Sequence, residues 1–123
     1  MLNTNDLPTE VQSLNIGLPT GYSKVFERGL TNITPWYFLD SDEFKAVYKG
    51  LRELYPNMLL IPFARRSDND DVAGVIAHSN QHPSGHIAII HMFASPDYAV
   101  DTTFSDFWDW FRAAINEMIE TSQ

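Results

Sequence analysis

Histidine spacing is the first feature of this chain that could do chemistry. His78, His82 and His86 recur every four residues, which on a helix would align three imidazoles towards one metal ion. Pro83, Ser84 and Gly85 interrupt that run, and Ser79-Asn80-Gln81 is turn-forming. A solvated loop is therefore expected, and no metal site is assigned. His91 lies near the end of an apolar run, on the face of Ile89. The expectation there is a hydrogen-bonded histidine at the edge of the core. The competing reading is a small hydrolase using His91 with Asp97 or Asp101.

Acidic residues come next. Asp68-Asn69-Asp70-Asp71 has the look of a calcium loop, but the sixth position from Asp68 is not glycine and the twelfth, Ser79, is not glutamate. The plain reading is a hairpin turn in which Asp and Asn bond their own backbone. The sharper one is a protruding acidic finger, Asp68, Asp70 and Asp71, for a basic partner. Asp97, Tyr98 and Asp101 lie in a later connection and are expected to share that surface. Trp110 falls beside the apolar stripe of its helix, a place for core margin or for a half-exposed interface anchor. No GxSxG elbow, Walker loop, GxGxxG or HExxH motif occurs, so no catalytic residue and no cofactor is assigned.

Composition narrows the class. At 123 residues the chain suits one domain with a real core. Sixteen acidic residues against eight basic ones give a formal net charge of -8, which repels phosphate backbones and disfavours nucleic-acid binding. Without cysteine there is no disulfide, thiolate nucleophile or cysteine-held zinc. The opening MLNTNDLPTE lacks the basic start and apolar run of a signal peptide, and no apolar run is long enough to span a bilayer. The cytoplasm is the expected location.

These side chains must be positioned by the surrounding elements. Residues 1–16 read as an irregular polar arm with one helical turn, and 17–123 as the domain. A short helix is expected from about Thr20 to Gly29, and a strand over Pro35 to Leu39. Asp40 and Glu43 form a capping box before Phe44, Val47, Tyr48, Leu51, Leu54 and Tyr55, a helical stripe halted by Pro56-Asn57. Met58 to Ala64 and Val72 to Ala77 read as a hairpin, with Pro62 requiring an edge position or a bulge. Ile87 to Phe93 is apolar on both faces, as in a central covered strand. Ala94 to Thr102 connects it to an amphipathic helix, Thr103 to Ile119, with Thr103 and Asp106 as its capping box. The expected fold is α+β: a mainly antiparallel sheet of about four strands packed with helices, ending in that long helix.

The same segments carry a resemblance. Gly17-Leu18-Pro19 with Tyr22, the run Leu60-Ile61-Pro62-Phe63-Ala64 before an acidic turn, Ile89 to Pro96, and the Phe104 to Phe111 helix together resemble the SUKH superfamily, the Smi/Knr-like family, in its bacterial branch. The resemblance implies an α+β domain without catalytic residues. It further implies an immunity protein that binds a cognate polymorphic toxin, often a nuclease with a basic cleft, or else a regulatory scaffold of the yeast type. The expected partner is thus a toxin domain, with the chain itself a monomer or weak dimer.

Overall fold

Apolar alternation through the middle of the chain builds a sheet that must be covered on both faces. The computed structural model describes residues 1–122. Strands β1 (Asn32–Ile33), β2 (Trp36–Phe38), β3 (Leu59–Arg66), β4 (Asp71–His78), β5 (Ile87–His91) and β6 (Val100–Phe104) lie in sequence order, each antiparallel to the next. On one face Ile61, Phe63, Ala73, Val75 and Ile87 join a cluster with Tyr22 and Val25 of α2 (Thr20–Glu27) and Phe107, Trp110 and Ala114 of α4 (Phe107–Thr121). On the other, Leu60, Val72, Ile76, Ala88 and Ile90 meet Val47 and Leu51 of α3 (Ser41–Leu54). This is the α+β architecture expected, with six strands in place of about four.

Pro62 sits inside the sheet, where it has no N–H to donate, opposite Gly74. The register slips between Pro62 and Ala64, so the ladder is bulged there and Phe63 is the extra residue. Gly74 has no room for a side chain: a Cβ would stand 2.7 Å from the Ile61 carbonyl oxygen and 2.8 Å from Leu60.

Residues 1–16 are packed, not loose. Besides a 3-10 turn at Thr4–Asp6 and α1 (Thr9–Gln12), the segment buries Leu2, Leu7 and Val11 in the same cluster as α2 and α4. Leu2 N–H donates to the Tyr22 hydroxyl at 3.0 Å, Ser41 to Asp6 at 2.9 Å and Tyr48 to Glu10 at 2.6 Å.

The last helix starts later than its apolar spacing suggests. Asp106, not Thr103, is the N-cap, accepting from the Asp109 N–H at 2.9 Å, while Thr103 and Phe104 belong to β6. The buried line is Phe107, Trp110 and Ala114, and Trp108 is left exposed. Trp110 is 1% exposed, which corrects its reading as a margin or interface residue. The apolar residues of this helix span more arc than the sheet can cover. The face that wins is the one meeting Trp36, Phe38 and Phe63, with Trp110 edge-on to Phe63 at 5.0 Å and to Trp36 at 5.6 Å. The strand expected through Phe93 ends at His91 and lies one place in from the sheet edge, although Ile87, Ala88 and Ile90 are buried as predicted.

Gly74→Ala should lower unfolding free energy by about 1–3 kcal/mol, since the new methyl meets backbone in a packed sheet. Gly17→Ala, with nothing within 4 Å, should stay within about 0.5 kcal/mol of wild type. Urea denaturation of both variants checks the pair.

Candidate interaction surface

The residues singled out from sequence divide into three places. The first is the β3–β4 hairpin tip. Asn69 accepts from the Asp71 N–H at 2.8 Å, the side-chain-to-backbone bond expected of a turn. Arg66 donates to both carboxylate oxygens of Asp68 at 2.8 and 2.9 Å and to Glu117 of α4 at 2.6 Å, and its guanidinium lies 5.4 Å from the Trp36 ring centre. Glu117 in turn accepts from the Trp36 indole N–H at 3.2 Å. The bond from Arg66 holds the Asp68 carboxyl below its usual range. Asp68 is thereby an anchor for the hairpin. Asp70 stands 4.0 Å from Arg65. The proposed acidic finger is partly neutralised by its own arginines.

The second place joins Asp71 and Asp101, thirty positions apart in sequence, through His91. His91 Nδ1 lies 2.5 Å from Asp71 Oδ1, and Nε2 lies 3.2 Å from Asp101 Oδ1. Asp71 is opposite His91 in the β4–β5 register, which puts both side chains on one face. Asp101 arrives there by a bulge: Ile89 pairs with Thr102 and Ile90 with Val100, leaving Asp101 as the extra residue. A neutral imidazole has one N–H and can satisfy only one carboxylate; the imidazolium satisfies both. Asp71 first, and then Asp101, hold the His91 pKa above the ordinary histidine value. With a carboxylate at each nitrogen, His91 forms a cross-strand link from β4 to β6 that is complete when the ring is protonated.

The third place is the connection between β5 and β6. Phe93 is 71% exposed with φ of 71°, the left-handed region that bulky side chains rarely adopt. Tyr98, in a 3-10 turn at Pro96–Tyr98, is 76% exposed. Asp97 beside it has no ion-pair partner among the described residues. Buried Tyr55 secures the connection from below, its hydroxyl reaching the carbonyl oxygens of His91 at 3.1 Å and Ala94 at 2.7 Å. Burial pushes that phenol's pKa up. Phe93 was not singled out from sequence; it read as the end of a strand, and only its departure from the ladder exposes it.

The clefts are open to solvent. One of about 260 Å³ runs past Tyr55, Met58, His82 and Asp97, and one of about 420 Å³ lies between α3 and Phe93. His78 closes β4 while His82 and His86 lie in the following loop, and among the described residues no three His, Asp or Glu side chains converge on a point suited to a metal. No described helix is long and apolar enough to cross a membrane.

A raised histidine pKa stabilises the fold below the unfolded value of about 6.5 and loses that contribution as pH rises through the folded value. Unfolding free energy should therefore fall from about pH 6.5 upward until the ring is neutral, and His91→Gln should flatten that slope; urea midpoints between about pH 5.5 and pH 9 measure it. Tyr55→Phe should cost about 1–2 kcal/mol and speed amide exchange over residues 92–98, because the Ala94 carbonyl loses its donor and the His91 carbonyl keeps only the Ala94 N–H at 3.2 Å. Compared with known proteins, the chain matches no family model, no curated protein and no solved structure.

Proposed function

We propose that this protein is a non-catalytic binding module that docks a basic protein partner on the surface around the β5–β6 connection. The observation that carries the reading is the pair of exposed aromatics, Phe93 and Tyr98, held on a connection pinned by Tyr55. A large ring in a left-handed backbone and in water costs stability, and such strain concentrates at sites of function. Aromatic anchors on a rigid base with an acidic rim suit the core and rim of a protein interface.

Charge supports the same partner. Residues 67–111 hold seven aspartates and no lysine or arginine. Asp68, Asp70, Asp71 and Asp101 are compensated locally, so Asp97 beside Tyr98 is the acid of the predicted set left to act on a partner. Such a surface would steer a basic protein and repel nucleic acid. With the resemblance to SUKH immunity proteins, the partner class becomes a cognate toxin domain, such as a nuclease whose basic cleft is blocked inside the producing cell. A regulatory scaffold would use the same surface, and the neighbouring gene separates the two.

The test is binding to the product of the adjacent toxin-like gene. Raising salt from about 50 to about 500 mM should slow association at least about tenfold. Phe93→Gly should weaken binding by about 1–2 kcal/mol without lowering fold stability, because glycine relieves the left-handed strain while the ring is lost. Association indifferent to salt, with Phe93→Gly binding as wild type, would remove this surface from consideration.

A further inference from the structure

Strand β6 is the last in the sheet and is bonded on one side only. The opposite edge, β1, has two residues, so β6 is the one terminal strand long enough to template another. The phase of its hydrogen bonds can be read from β5. His91 N–H donates to the Ala99 carbonyl at 2.7 Å, and Ile76 N–H donates to the His86 carbonyl at 2.8 Å. Odd-numbered residues of β5 therefore bond towards β6 and even-numbered ones towards β4. Thr103 pairs with the even-numbered Ala88, so its own N–H and C=O point outward, away from the sheet. Asp101, Thr102 and Thr103 are exposed. Proteins usually blunt such an edge with lysine, proline or a covering element; β6, Val-Asp-Thr-Thr-Phe, has neither residue, and its bulge lies at the Asp101 end, away from Thr103.

The surroundings select the occupant. Asp97 and Asp106 flank the strand with no ion-pair partner among the described residues, whereas Asp101 is held by His91 at 3.2 Å and Asp109 by Arg112 at 2.9 Å. A second copy would bring the same carboxylates against themselves, whereas an extended segment bearing lysine or arginine would meet opposite charge. We propose that the free edge of β6 receives an extended basic segment of the partner by strand addition, with the Thr103 backbone as its central hydrogen-bonding pair. This rests on the partner-binding reading above and adds the mode of docking.

The probe is a synthetic heptapeptide, acetyl-Lys-Thr-Lys-Val-Lys-Thr-Lys-amide, titrated to about 1 mM into the isotopically labelled full chain, alongside the adjacent toxin domain. The inference expects amide shifts confined to 99–105, Thr103 amide exchange slowed at least about tenfold, and at least about tenfold weaker binding when alternate peptide amides are N-methylated. Thr103→Pro should weaken the peptide likewise, since it removes an outward donor and no ladder bond. The N-methylated peptide leaves the protein untouched and keeps the test valid if that variant folds poorly. Equal binding by the N-methylated peptide, shifts outside 99–105, no binding, or pairing of two copies through β6 would each overturn strand addition. If the toxin domain binds with shifts at 93–98 and no protection at Thr103, the docking mode fails and the partner reading stands. If the peptide adds to β6 but the toxin domain does not bind, the reverse holds.

Discussion

A sheet apolar on both faces has to be covered twice, and the rest of the molecule follows from meeting that demand with 123 residues. Helix α3, with Leu39, Tyr55 and Ala99 beside it, serves the Leu60, Val72, Ile76 and Ile90 face. The other face is larger and needs α2, α4 and residues from the first sixteen positions together. Close approach on that side depends on Gly21, whose missing side chain leaves space for Phe107 and Trp108; a Cβ there would stand 2.6 Å from the Phe107 ring. The Trp110 indole N–H is buried with no acceptor among the described residues, while its ring packs against Phe63, Trp36 and Phe107.

Coverage on both faces also decides where charge can sit. Arg66 and Glu117 close the margin between the hairpin and α4, over Trp36, and Arg66 takes Asp68 with it. At the same end of the strands, but on the β5–β6 side, His91 links Asp71 and Asp101. Each cluster ties a carboxylate to the frame, so the negative potential that reaches solvent comes from positions no local cation compensates. Around the β5–β6 connection such a position coincides with two exposed aromatic rings, and that coincidence gives this surface its functional interest.

Local features were legible in the sequence and distant ones were not. The α3 capping box, Asp40 with Glu43, forms as read because all its partners lie within one turn. Pro62 announced either an edge position or a bulge, and the bulge is what forms, because a missing N–H is a property of the residue itself. By contrast β6 is polar, exposed and without alternation, so Val100 to Phe104 looked like a connection until β5 supplied its ladder. Trp110, read beside the stripe, is buried and Trp108 is exposed, because helical spacing defines a stripe but not which part of it the sheet will accept. The Arg66–Glu117 pair, 51 positions apart, and the Asp71–His91–Asp101 link require the register to be known first.

The bulge at Asp101 shows how such a link constrains the surface beside it. Without the extra residue, strand alternation would send the Asp101 side chain to the face opposite His91. With it, the histidine ties β4 to β6 across β5, and the turn that follows His91 starts from a fixed point. Tyr55 fixes the same turn from the α3 side through the carbonyls of His91 and Ala94. Phe93 lies between those two carbonyls, held at its unfavourable φ by bonds on both sides. A ring so constrained loses little conformational freedom when a partner covers it, which is the condition under which an exposed aromatic contributes most to binding.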